Sequence, residues 1–164
     1  MRKILIILLS CVPFLHGCIH NKSLQEKFKI LKGINYSEFH DMSIVNRNGV
    51  YFVTYHGSTY KIKRSILTKK ISSVEMSFTK NTNVLLKKED TNYIEHVLKS
   101  FDKIKVLALS VDEKGNVFLS LPWYDRCTYY FLRLSSSSTL EDLKKQYYQN
   151  YENNWYMKKE CSER

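Results

Sequence analysis

The sequence predicts an α+β fold: one domain on a twisted antiparallel sheet of about six to eight strands, with two or three helices mostly on one face. Three observations carry that expectation. Runs of alternating apolar and polar residues are punctuated by turn residues, above all Asn48-Gly49, whose tolerance of positive φ marks a hairpin. Ile94, Val97, Leu98 and Phe101 recur at helical spacing. The composition also fits a single core: 164 residues, 43% hydrophobic and 26% charged, with 12 Tyr, 8 Phe and 2 Trp but only five Gly and two Pro. That balance leaves no room for a second full domain, a Gly-rich linker or a disordered chain.

Taken in order, Ser23 with Glu26 reads as a capping box, and Leu24, Phe28 and Leu31 share one helical face up to Gly33, so residues 23–32 are expected to be a short helix. Residues 43–47, 50–55 and 59–65 follow as a meander, joined by Asn48-Gly49 and by the turn at 56–58. Residues 71–78 add a fourth strand, with Val74, Met76 and Phe78 on one face and Glu75 and Ser77 on the other. Residues 90–103 are expected to form an amphipathic helix with Asp90 or Thr91 at its start. Two strands at 105–111 and 117–121 flank a turn containing Gly115, and residues 127–134 form another strand. Ser138 with Glu141 suggests a second capping box, opening a third helix with Leu140, Leu143, Tyr147 and Tyr151. A final strand begins at Trp155.

The first residues do not belong to this domain. Arg2 and Lys3 precede an apolar run from Ile4 to Leu15 that is interrupted at Pro13, the charged start and short apolar stretch of an export signal. A membrane-spanning helix needs about 20 apolar residues. The segment ends Leu15-His16-Gly17-Cys18, which resembles the lipobox of bacterial lipoproteins; an ordinary signal-peptidase site wants a small residue where Leu15 stands. The resemblance implies removal of residues 1–17, diacylglycerol on the Cys18 sulfur, a third acyl chain on its amino group, a tether over residues 18–22 and a folded domain over residues 23–164. Ile19, in place of Asp, after the cysteine is similar to lipoproteins sorted to the outer membrane of Gram-negative cells. The expected location is therefore the cell envelope, facing the periplasm.

With Cys11 lost and Cys18 acylated, Cys127 and Cys161 are the remaining thiols, a disulfide candidate in an oxidising compartment. If they pair, the strand starting at Cys127 and the strand ending before Cys161 should lie side by side and antiparallel. A zinc site needs more ligands at shorter spacing than His20, His40, His56 and His96 supply. No metal or other cofactor is expected.

Loss of Arg2 and Lys3 leaves 24 basic against 16 acidic residues, a charge of +8, and residues 59–88 hold +7 of it. Lys61, Lys63, Arg64, Lys69 and Lys70 form the candidate basic patch. It is either a solvated face whose lysines discourage sheet-to-sheet aggregation or an attractor of anionic lipid, polysaccharide or acidic protein. Tyr129, Tyr130, Tyr148 and Trp155 form a candidate aromatic surface within a C-terminal cluster that must also supply core. Nucleic acid is not expected as a partner, because an exported, tethered domain rarely meets it and no such motif is present. Nucleophile elbows, phosphate-binding glycine loops and zinc-protease helices are likewise missing from the sequence. The functional expectation is a lipid-anchored binding protein without catalysis, in the form of a periplasmic inhibitor or immunity-type protein. Its alternative is an envelope-assembly lipoprotein that holds a glycan or other polyanion.

Overall fold

The structure, a computed structural model, describes residues 23–76, 86–122 and 126–162. The expected signal, Cys18 and its tether, Phe78 at the end of the fourth strand, and Trp123 and Tyr124 lie outside the described residues.

Helix α1, Leu24–Lys32, starts where the capping box places it. The Glu26 N–H donates to Ser23 Oγ at 3.2 Å, and the Ser23 N–H donates to the Glu26 carboxylate at 3.1 Å. A 3₁₀ turn at Ser37–Phe39 leads into strand β1, Met42–Arg47. Asn48 (φ 52°) and Gly49 (φ 81°) both sit in the left-handed region that a tight hairpin requires, and they deliver β2, Val50–Tyr55, in register against β1. Strands β3, Ser58–Arg64, and β4, Ile71–Met76, complete the first meander. Helix α2 spans Lys88–Ile104 and buries Ile94, Val97, Leu98, Phe101 and Ile104; it starts earlier than expected, with Lys87 in the N-cap position and Asp90 and Thr91 inside the first turn, where the Thr91 hydroxyl donates to the Lys87 carbonyl. Strands β5, Ala108–Val111, β6, Val117–Ser120, β7, Cys127–Arg133, β8, Gln149–Glu152, and β9, Trp155–Cys161, form the second half of the sheet, in which β9 is inserted between β7 and β8.

The nine strands of the described residues join one antiparallel sheet in the order β4-β3-β2-β1-β5-β6-β7-β9-β8. The two halves therefore grow outward in opposite directions from the central β1–β5 pair, and a helix precedes each one. Both helices cover the same face. Phe28 of α1 lies against Phe131 of β7, Tyr151 of β8 and Trp155 of β9, so α1 roofs the half of the sheet that follows α2. Helix α2 roofs the other half, with Phe101 edge-on to Tyr51 of β2 and Asp102 bonded to Arg64 of β3. The helices meet where Lys27 Nζ donates to the Ile104 carbonyl. Phe39, Ile44, Val53, Ile62, Ile94, Leu98 and Phe131 are fully buried between the two layers.

Two expectations need correction. The sheet has nine strands, slightly above the expected six to eight, and the third helix does not form. The reciprocal capping bonds shift by one residue, to Thr139 and Asp142, and they close only a turn. Lys144 then adopts φ 52°, and the chain straightens into β8. The apolar spacing is real but serves two surfaces. Leu140 and Leu143 cover the outer face of the sheet, whereas Tyr151 enters the core on the other face.

The cysteine geometry agrees with the expected strand neighbourhood. Cys127 stands directly opposite Cys161 in the antiparallel β7–β9 ladder, with Cα atoms 4.0 Å apart and the sulfurs at bonding distance.

Candidate functional site

Strand alternation divides the sheet into a face under the helices and an outer face. The registers align the outer side chains into rows across the strands. One row runs Glu75, Lys61, Phe52, Val45, Ala108, Ser120, Tyr130, Lys158. A parallel row runs Thr59, Thr54, Ser43, Ser110, Phe118, Leu132, Tyr156, and a shorter one places Val50 between Lys63 and Arg47.

Over β6, β7 and β9 this outer face is closed. The chain at 135–148 folds back across it and buries Leu132, Leu134 and Tyr148, with Phe118, Tyr130, Leu140, Leu143 and Tyr156 around them. The fold-back is rooted by Asn116, which is fully buried: its amide donates to Asp112 and Ser138, and its carbonyl accepts the Ser135 N–H. Over β1, β2, β3 and β5 the side chains of Val45, Val50, Phe52 and Ala108 remain half-exposed, which is the ordinary solvent face of an antiparallel sheet. Cations rim this open part. The Arg47 guanidinium lies 5.7 Å from the Phe52 ring centroid. Lys61 Nζ bonds the Glu75 carboxylate at 2.8 Å, holding that carboxyl below its usual range, and Lys63 projects into solvent.

The five residues of the basic patch separate into three places. Lys61 and Lys63 lie on the open face. Lys69 and Lys70 are exposed in the turn between β3 and β4. Arg64 is not a surface residue: its side chain is 4% exposed on the helix-facing side, bonded to the Asp102 carboxylate and the Tyr51 hydroxyl and stacked 4.5 Å from the Tyr51 ring. Burial pushes the Tyr51 hydroxyl above its ordinary pKa, and the bond to Asp102 adds to the rise.

The aromatic surface is corrected more heavily. Trp155 is 2% exposed and lies in the core with Phe28 and Tyr36. Tyr129 is buried on the helix-facing side beneath Lys159. Tyr148 is buried in the outer cluster, where desolvation pushes its hydroxyl up to about 12. Tyr130 alone of the four stays half-exposed. It shares the Lys158 ammonium with Tyr147, whose ring centroid is 4.5 Å from Nζ and which is itself 53% exposed. Phe52 and Val45 each stand in a run of consecutive apolar residues, Val50-Tyr51-Phe52-Val53 and Ile44-Val45, whose outward members the sequence does not distinguish, and only the register brings them together.

Among the described residues no group of three or more His, Cys, Asp or Glu side chains could hold a metal ion, and no helix is long and apolar enough to cross a membrane. His96 is a surface residue whose ring lies 3.4 Å from the Glu38 carboxylate. No family profile, curated protein or solved structure matches this chain.

Proposed function

We propose that this protein is a lipid-anchored, extracytoplasmic binding protein whose open sheet face captures a partner protein that presents an apolar ridge flanked by carboxylates. Removal of residues 1–17 and acylation of Cys18 hold it on the envelope, facing the periplasm. An inhibitor or immunity-type role fits a domain that works by occupying a surface rather than by turning over a substrate.

The observation that supports this reading is the juxtaposition of Val45, Phe52 and Ala108 in one half-exposed row, with Arg47 and Lys63 beside it and the Lys61–Glu75 pair at its end. An apolar centre within a polar, charged rim is how protein interfaces divide affinity from orientation. Dispersal of the expected basic patch weighs against the polyanion-binding alternative. Of its five cations, Arg64 is neutralised internally and Lys61 is paired with Glu75.

The test is site-specific photocrosslinking from position 52 in the full chain in its native envelope. The expected result is one protein adduct, weakened by Lys63→Glu and by raised salt, and abolished when Val45→Asp accompanies the probe. Crosslinking to lipid or glycan alone, or a protein adduct indifferent to both substitutions, overturns the proposal.

A further inference from the structure

Between β3 and β4 the chain makes a tight tip over residues 65–70. It is closed by the Ser65 N–H to the Lys70 carbonyl (2.9 Å) and the Lys69 N–H to the Ser65 carbonyl (3.0 Å), while Ser65 Oγ accepts the Thr68 N–H at 3.3 Å. At the apex Ile66 is 85% exposed and Leu67 is 93% exposed, the two most exposed large apolar side chains among the described residues. Lys69 and Lys70 follow them in the same turn, both exposed, and residues 65–70 contain no acidic residue. The base of the tip is held firmly, because Arg64 is clamped to Asp102 and the Ile71 N–H donates to Glu95 at 2.7 Å. The aliphatic pair is thus presented by an ordered turn and not left over from a loose loop.

The tip also lies at a particular end of the sheet. Arg64 binds Asp102 in the last turn of α2, and the Ile104 carbonyl in that same turn accepts Lys27 from the first turn of α1. The start of α1 and the tip therefore share one end of the molecule. Cys18 precedes Ser23 by five residues, which extend no further than about 18 Å. Acylation at Cys18 would bring this end of the molecule beside the bilayer.

We infer that the β3–β4 turn is a membrane-docking tip, with Ile66 and Leu67 entering the acyl-chain boundary and Lys69 and Lys70 meeting anionic headgroups. A convex aliphatic apex collared by lysines suits a bilayer, which yields around it. Apolar insertion and headgroup attraction then add to the anchor, each being weak alone. Docking would stand the strands away from the membrane and leave the open sheet face turned sideways into the periplasm. The inference rests on the reading of Cys18 as the anchor.

The experiment places an environment-sensitive NBD probe on Leu67→Cys and, separately, on Glu113→Cys in the exposed turn at the opposite end of the sheet. The acylated full chain is reconstituted into vesicles of phosphatidylethanolamine with phosphatidylglycerol, or of phosphatidylcholine alone, containing nitroxide-labelled acyl chains. Residue 67 should be blue-shifted and quenched severalfold more than residue 113. The effect should fall in phosphatidylcholine and with Lys69→Glu and Lys70→Glu, and it should vanish with Ile66→Asp. If residue 67 stays as unquenched as residue 113 in vesicle-bound protein, the docking tip is overturned and the anchor stands. If the chain does not sediment with vesicles, the anchor reading fails separately. The same probes, with the chain held on nickel-chelating lipid by an N-terminal histidine tag, then decide the tip on its own. A residue 67 that remains in water while Ile66→Asp weakens capture of the protein partner assigns the tip to the protein interface and refutes docking.

Discussion

Replacing Cys161 with Ser is the most informative stability test, because its cost follows from chain statistics. Cys161 is exposed, so a serine hydroxyl there meets water, and Cys127, 4% exposed, remains as a small apolar thiol in the core. Contacts in the folded state therefore change little. What changes is the unfolded chain, which regains the freedom of a loop spanning 34 residues. In the loop-closure treatment that freedom is worth about 4 kcal/mol. For a domain of this size each kcal/mol moves the midpoint by about 3 °C, which predicts a Tm lower by about 12 °C. The assay is thermal unfolding followed by circular dichroism for Cys161→Ser, for the oxidised protein and for the protein in reductant. The last two should differ by as much as the mutant and wild type. Coincident midpoints in all three, or two alkylatable thiols in protein taken from the envelope, would refute the reasoning.

Metabolic labelling with a palmitate analogue should tag the protein, and Cys18→Ala should lose both the tag and the membrane association; label that persists at that variant removes the anchor. Asp102→Ala should destabilise the domain by about 3 kcal/mol in denaturant titration, because it strips the Arg64 guanidinium, only 4% exposed, of its carboxylate partner. Arg64→Met should cost much less, and equal losses in the two variants would show that the ion pair is not what matters. Alkaline pH should loosen the outer cluster. Tyr148 has its pKa raised to about 12 by burial, above the unfolded value of about 10, so its contribution is intact below about pH 10 and is lost as pH rises through about 12. Tyr148→Phe should therefore gain stability relative to wild type across that window, and parallel pH profiles would contradict the assignment.

Local features that close within a few residues were legible in the sequence. Ser23 with Glu26, Asn48-Gly49 and the stripe of Ile94, Val97, Leu98 and Phe101 each specify their own structure, and each is found as expected. The pairing of Cys127 with Cys161 followed from counting thiols, and the strand neighbourhood followed from the pairing. What could not be read needed non-local information. Leu140, Leu143, Tyr147 and Tyr151 fit a helix by spacing, but the outer face over Leu132 and the core beside Phe28 lie on opposite sides of the sheet, and the chain divides to cover both. Arg64 looked like one more surface cation because the partner that buries it, Asp102, stands 38 positions away. The aromatic surface failed for the same reason: Trp155, Tyr129 and Tyr148 have their cover supplied by segments remote in sequence.

The sheet edges bear on how a partner must approach. Among the described residues the nine-stranded sheet ends in two edge strands, and the outer backbone groups of such strands can template another strand. One edge, β8, is four residues long, exposes Gln149 and Asn150, and slips register before Glu152. The other, β4, carries Ser72, Ser73 and Glu75 and is bent by the register shift at Lys63/Arg64. Short length, polar side chains and irregular register all disfavour strand addition, so recognition through backbone hydrogen bonds is suppressed at both ends. The open face has its backbone already paired and offers only side chains. A partner that binds there is therefore selected by Phe52, Val45 and the surrounding cations, which makes a single charge placed in that row more damaging to capture than any change along the edges.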